Sequence, residues 1–385
     1  MQNIVFSGLI GRLGLAPLVA TSNRLINKNM VSAFVERWQP KTNTFHMLFG
    51  EMTITLDNVS TILGIPVTGK SVSVEQLSFE RAMTLVEHGL GVTSQQAHEE
   101  LVGVQGSSVR LEWLRDLFGD VTDVDPKEYI RHAARAYLLY LLGCTLFKDK
   151  SGTRVPVIYL KLLMNFDEAR TYAWGAAALA YLYQQLGFAT WSGVKQITGY
   201  LTLLEALIYE HFRRCRPNPN RTYTENLPRV HRWVPRRESG DQMSNLQSLR
   251  EALDDLGAHE VVWDPYLKHM ADHPFHEVAY YTGCLKCMDI VGPYHPDWVH
   301  RQFGRVQRIP PTPLAPQRAA VWLDQIWERW HNHLLSPMKR GVPVAHPSDC
   351  TTNYMNGSFE CRPNHSCDAP DSYIDYREES EWGYM

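Results

Sequence analysis

The sequence predicts a mainly α, multi-helical globular domain with a short β-hairpin near residues 44–56. Three observations carry that prediction. Residues 127–147, 167–189 and 193–212 are long apolar stretches without the period-two alternation of a strand. "TFHMLFGEMTITL", residues 44–56, does alternate, with Phe45 and Met47 on one limb and Met52, Ile54 and Leu56 on the other. Strands and helices never take turns in the βαβ series that builds a parallel sheet.

The elements follow in order. The opening "MQNIVFSGLIGRLGLAPLVA" is apolar, but its glycines, Arg12 and Pro17 interrupt it, and no signal peptide is read there. "NKNMVSAFVERW" sets Met30, Phe34 and Trp38 at i, i+4 and i+8, one helical face, which Pro40 stops. After the hairpin Asp57 is expected to cap a short helix, "NVSTILGI", ended by Gly64 and Pro66. Residues 72–118 read as two or three helices with polar loops. The three long apolar helices then form a core, and Ala173, Gly175, Ala176, Ala177 and Ala180 give the middle one a small-residue face for close approach. Residues 213–242 are rich in Pro, Asn and Arg and read as a surface loop. A second helical part is expected from Met243 to about Gly304, then a Pro-rich extended connector, "RIPPTPLAPQ". A last amphipathic helix carries Trp322, Ile326, Trp327 and Trp330. The organisation is thus 1–212 as hairpin plus helical core, 213–242 as loop, 243–336 as the C-terminal helical part of the same domain, and 337–385 as a polar, acidic tail expected to be disordered.

Composition bounds the function. With 44% hydrophobic and 21% charged residues the chain is an ordinary globular protein. No apolar run reaches the ~18–20 residues a membrane helix needs. A formal charge of -3 excludes bulk attraction to nucleic acid as the main theme. The 27 Arg against 11 Lys favour specific ionic contacts, because the guanidinium is a planar fork. Seven cysteines, an odd number in a long chain, point away from a disulfide scaffold and toward a reducing compartment.

Candidate chemistry is sparse. His46 and Glu51 flank the hairpin turn and could meet as an acid/base pair in a pocket. Equally, Glu51 could pair with Arg37 or cap a backbone amide. Pyridoxal phosphate chemistry lacks a phosphate loop before Lys161 or Lys195. Metallophosphatase chemistry has only "FGDVTDVDP" (Asp120, Asp123, Asp125), which reads better as a loop with capping aspartates. Cys284 and Cys287 have zinc-ligand spacing, with Cys350, Cys361, His365, Cys367, His295 and His300 elsewhere, but the set matches no zinc pattern and sits in an expected apolar helix. Arg213, Arg214, Arg216, Arg221, Arg229, Arg232, Arg236 and Arg237, interleaved with Tyr223 and Trp233, could bind phosphates and stack bases, or dock on an acidic protein surface. No Walker loop, nucleophile elbow or kinase signature is present.

One long run is distinctive. "NMVSAFVERWQPKTNTFHMLFGEMTITLDNVSTILGIPVTGKSV", residues 29–72, closely resembles the opening of the plant mobile domain, also described as aminotransferase-like. Its marks are Glu36, Trp38, Phe45, His46, Gly50, Glu51, Leu56, Gly64, Pro66 and Gly69, joined much later by Arg301, Gln302, Phe303 and Gly304. The stretches "YAWGAAALAYLYQQL" and "GYLTLLEALIYEHF" fit in order, and the likeness covers roughly residues 8–335. It departs at Trp298, where an Arg is usual before the "RQFG" segment. The resemblance implies a mostly helical nuclear protein of plants, free-standing or within a transposable element. It implies links to transposon silencing, gene expression, genome stability and meristem maintenance, and a phosphatase-7-long-form-like protein partner. It supplies no catalytic residues and no cofactor. The resulting expectation is a non-catalytic interaction scaffold. Its alternatives are nucleic-acid binding through the arginines of 213–237 and an enzyme with its pocket at the His46/Glu51 hairpin.

Overall fold

The structure, a computed structural model, describes residues 4–354 other than 12, 23, 105, 123, 192–195, 236–241, 315–320, 347–348 and 352–353. Helices dominate, with a few small antiparallel sheets. Helices α1 (Ile4–Gly11) and α2 (Ala16–Val19) precede α3 (Lys28–Val35), which Asn27 caps by accepting the Met30 N–H at 2.7 Å. The apolar face expected to continue to Trp38 ends at Phe34. Pro40 forces its predecessor Gln39 into an extended conformation, so Trp38 and Gln39 form strand β1 (Trp38–Gln39) instead. Trp38 is still buried, against Phe45 at 4.7 Å between ring centroids.

Strand β2 (Thr44–Met47) pairs antiparallel with β1 (Trp38↔Phe45) on one side and with β3 (Gly50–Met52) on the other (Phe45↔Met52, His46↔Glu51). The strand region is thus three-stranded and ends at Met52, not at Leu56. Leu56 already opens α4 (Leu56–Leu63). Its cap is Thr55, not Asp57: Thr55 Oγ1 accepts the Asn58 N–H at 3.1 Å, and Asn58 Oδ1 accepts the Thr55 N–H at 2.8 Å. This reciprocal capping box frees Asp57 for other contacts.

Around this unit run α5 (Phe79–Leu90), α6 (Ser94–Gly103), β4 (Ser108–Arg110), α7 (Leu111–Phe118), α8 (Lys127–Cys144), β5 (Arg154–Pro156), α9 (Ile158–Leu163), α10 (Phe166–Ala169), α11 (Trp174–Ala189) and α12 (Leu201–His211). Asp125 does not cap α8; its carboxylate accepts the N–H of Thr122 at 2.7 Å within its own loop. The small-residue face of α11 works as its composition suggests. A Cβ at Gly175 would stand 2.8 Å from Val67 and 2.9 Å from Val59, so the glycine lets α11 lie directly on the α4 region.

The second part differs from its helical expectation. Only α13 (Gln242–Asp254) is α-helical before a run of 3-10 turns, and β6 (Gly283–Cys287) pairs antiparallel with β7 (Ile290–Tyr294) across a two-residue turn. Leu285 and Cys287 alternate with Cys284 and Lys286, and β-branched Ile290 and Val291 follow, a pattern that suits a pleated ladder. Helix α14 (Val321–Glu328) buries Leu323 and Trp327, whereas Trp322 is 46% exposed and Trp330 falls in the following 3-10 turn. One apolar core runs from Ile10 to Trp327, with a satellite around Trp298, Val299, Phe303 and Leu335. The beginning of the expected tail is folded back. Gln307 bridges Cys350, and Tyr354 is buried; residues 355–385 lie outside the described residues.

Candidate functional site

The two halves of the signature meet, although 250 residues separate them in sequence. The 3-10 turn His300–Phe303 clamps the hairpin. Arg301 donates from Nη2 to the Phe49 carbonyl at 2.8 Å and lies 3.8 Å above the Trp263 ring. Gln302 donates to the Thr53 carbonyl at 2.9 Å and accepts the Thr53 N–H at 2.8 Å, extending the ladder past β3 with a side-chain amide. Phe303 joins Tyr280 at 5.0 Å, and Gly304, at φ 64, closes the turn. Gly50 has φ 119, and a Cβ there would collide with the Arg301 guanidinium. The glycine therefore serves both the turn and the close approach. Trp298, the departure from the resembled pattern, stacks on His46 at 6.4 Å.

Glu51 is 2% exposed. Its carboxylate accepts the Tyr354 hydroxyl, and its N–H donates to the same oxygen at 3.3 Å. Burial, then the Glu51 carboxylate, pushes the Tyr354 phenol up. Arg37 is engaged elsewhere, donating to Asp254 at 2.6 Å, and neighbouring Glu36 accepts from Arg250 at 2.5 Å. Both docking pairs tie α3 to α13. The pairing of Glu51 with Arg37 and the open pocket at the hairpin are thus both corrected: Tyr354 fills that place. Pro66 accepts the Gly175 N–H at 2.7 Å, Gly69 (φ 127) leads into Lys70, whose N–H donates to Thr171 at 2.8 Å, and Leu56 and Gly64 bound α4.

The arginine-rich segment is not a free surface loop. Arg229 and Glu210 are each 0% exposed. Glu210 Oε2 accepts from Arg229 Nη2 at 2.8 Å and from Arg232 at 3.0 Å, and its Oε1 accepts from Trp233 Nε1 at 2.8 Å. Arg229 also reaches Glu225 at 2.7 Å. Arg216 donates to the Tyr209 and Glu210 carbonyls at 2.7 and 2.6 Å, and Arg214 pairs with Glu260 at 2.5 Å. The segment is a strap bound to the end of α12 by one buried carboxylate. Arg213 and Arg221 are exposed, and Arg236 and Arg237 lie outside the described residues.

Cys284 and Cys287 stand in a strand, not a helix. Three residues apart on a pleated strand, their side chains point to opposite faces and cannot share one ion. Cys287 is buried beside the Tyr159 hydroxyl at 3.8 Å, and burial pushes its thiol up to about 12. Among the described residues no three His, Cys, Asp or Glu side chains converge on a metal-sized site. Cys361, His365, Cys367 and Lys195 lie outside them.

One cluster escaped the sequence reading. Asp57 and Ser60 share a face of α4, and the loop ahead of the 3-10 turn Glu277–Tyr280 brings His276 between them. His276 Nε2 lies 3.1 Å from Ser60 Oγ, and His276 Nδ1 lies 3.1 Å from Asp57 Oδ1, which also accepts the His276 N–H at 2.9 Å. The carboxylate holds the proton on Nδ1, so Nε2 faces the serine as an acceptor. Burial, then the neighbouring Asp57 charge, pushes Asp264 up to about 6. The cluster opens on a cleft of about 470 Å³ between α4, strap residues Asn226, Leu227 and Pro228, and residues 272–276. Ser60 and His276 are 216 residues apart, and no local motif joins them.

Residues 14–357 match the family model of the plant mobile domain. The chain belongs to the plant mobile domain family. It is 37% identical over 290 residues to Protein MAIN-LIKE 1 of Arabidopsis thaliana, covering 74% of this chain and 55% of that protein. It is 36% identical over 290 residues to Protein MAINTENANCE OF MERISTEMS of the same plant, covering 74% and 59%. It is 30% identical over 359 residues to the Arabidopsis serine/threonine-protein phosphatase 7 long form homolog, covering 85% of this chain and 26% of that protein. The chain thus spans about half the length, or less, of these curated relatives. No solved structure matches it.

Proposed function

We propose that this plant mobile domain is a protein-interaction scaffold of plant nuclei, acting with a partner similar to the phosphatase 7 long form homolog. The observation that supports this reading is a surface in the C-terminal part. Ile309, Leu314, Met338 and Val342 are exposed, Met338 to 84%, where Arg308 donates to the Met338 carbonyl at 3.0 Å and Val306 to the Val342 carbonyl at 2.9 Å. Ile309 and Leu314, with the cations Arg308 and Lys339, rim a cavity of about 420 Å³. Apolar side chains gathered beside fixed cations suit an acidic, partly apolar protein surface. Glu51, Arg301 and Gln302 of the signature, in contrast, are buried inside the fold.

The test is capture from plant nuclei with the tagged full chain and with an Ile309→Ser, Met338→Ser, Val342→Ser variant. Wild type is expected to recover a phosphatase-7-long-form-like protein at least about tenfold above the variant, which would correspond to roughly 1.4 kcal/mol. Equal recovery by both, or recovery of no such protein, rejects the reading.

A further inference from the structure

Three side chains around one cleft take up the roles of an acyl-transfer site, independently of the scaffold reading. Ser60 offers a hydroxyl 3.1 Å from an imidazole nitrogen, His276 is 35% exposed toward the cleft, and Asp57 holds the far nitrogen from a nearly buried position. Such a set is defined by geometry and roles rather than by sequence order. Ile65, Pro66, Leu227 and Pro228 give the cleft an apolar wall.

We propose that Ser60, His276 and Asp57 form a hydrolytic site for small carboxylic esters. Ser60 Oγ bonds to the ester carbonyl carbon while its proton passes to His276 Nε2. The carbonyl oxygen takes the negative charge. The C–O bond to the alcohol breaks, and the leaving oxygen takes the proton from Nε2. Water then adds to the acyl carbon, again giving its proton to Nε2. The Ser60 ester bond breaks, Oγ regains the proton, and the acid leaves. Asp57 is a positioning residue, since it bonds His276 rather than the reacting atoms. Ser60 lies within a helix whose amides are engaged in the helix ladder. The helix amides are therefore not free to bind the oxyanion, and loss of one such donor slows these enzymes by about 10²–10³. Activated esters are accordingly the expected substrates.

The probes are a fluorophosphonate and p-nitrophenyl acetate, applied to the full chain with folding checked by circular dichroism. Phosphonylation is expected on the Ser60 peptide, and saturable esterolysis is expected to fall at least about 100-fold in Ser60→Ala and in His276→Gln. Asp57→Asn is expected to lower kcat with KM retained, a split that a purely structural carboxylate would not give. Absence of label on Ser60 in folded wild type, or esterolysis unchanged in folded Ser60→Ala, overturns the proposal. Should His276→Gln unfold, Ser60→Ala alone decides.

Discussion

The hairpin junction and the cleft beside α4 use the same building device to opposite ends. In each, a segment more than 200 residues away returns to the 44–63 region and places a polar side chain against it. At the junction Arg301 and Gln302 bind carbonyls of the hairpin, and Tyr354 occupies the space over Glu51. At the cleft His276 binds Asp57 and Ser60, and about 470 Å³ stays open. The junction carries the hairpin marks and Arg301–Gly304, and Tyr354 fills it; the cleft, whose wall includes the marks Gly64 and Pro66, keeps its room. Recognisability here tracks the making of a turn and a clamp, not chemistry.

The largest expected effect lies in the cleft's own wall. Arg229→Met leaves Glu210 buried with Arg232 and Trp233 as its remaining side-chain donors and removes the 2.7 Å contact to Glu225, next to the wall residues Asn226–Pro228. Breaking a buried pair by removing one partner costs about 3–5 kcal/mol. A urea midpoint lowered to match is expected. A change below ~1 kcal/mol would mean that the strap is not anchored by this pair and that the cleft has no fixed wall.

Acid separates the regions next. Burial holds His295 and His300, beside the junction, and His211, beside Glu210, down at about 4. For His300, Arg308 and then Arg305 add to the effect. Below the ordinary histidine value near 6.5 the unfolded chain takes up protons that the folded chain refuses. Stability is therefore full above that value and is lost as pH falls toward about 4. The loss is on the order of 1–3 kcal/mol per histidine. Urea midpoints measured from pH 7 to pH 5 should fall, and His211→Gln should flatten the slope. A pH-independent midpoint would show that these imidazoles are not held neutral.

Much of this was legible, and the failures have physical causes. The short helix α4, the apolar helices and the small-residue face of α11 are local patterns and survive into the fold, although the cap of α4 is Thr55 rather than Asp57 and α12 begins at Leu201 rather than near 193. Trp38 left its helix because Pro40 two residues on sets the backbone, which outweighs one apolar position. Residues 283–294 became a hairpin because period-two signals are short and resemble buried helix over so few residues. The arginines of 213–237 looked solvated because sequence does not show that Glu210, inside an apolar helix, waits for them. Tyr354 lay in a stretch read as tail. Ser60, His276 and Asp57 are commonplace residues whose meaning exists only once the chain has folded.

Within the junction Tyr354→Phe tests the filling of the space over Glu51. The phenol oxygen serves both the carboxylate and the N–H of Glu51, so its removal leaves buried polar groups short of a partner. About 1–3 kcal/mol is expected, read as a lower thermal or urea midpoint. A neutral result would place solvent where the structure places the phenol.

The smallest stability effect should come from the residue with the largest chemical one. Ser60 is partly exposed on α4 and, among the described residues, its hydroxyl bonds the partly exposed His276, so Ser60→Ala should change stability by less than ~0.5 kcal/mol. Alanine is also the better helix former, which offsets part of the lost hydrogen bond. Measured side by side, Tyr354→Phe and Ser60→Ala set the two regions apart: the first is destabilising, and the second is near neutral while abolishing any labelling of position 60. If Ser60→Ala instead costs as much as Tyr354→Phe, the hydroxyl, imidazole and carboxylate beside α4 are a second clamp. The cleft would then belong with the junction as structure, and the contrast between them would fall.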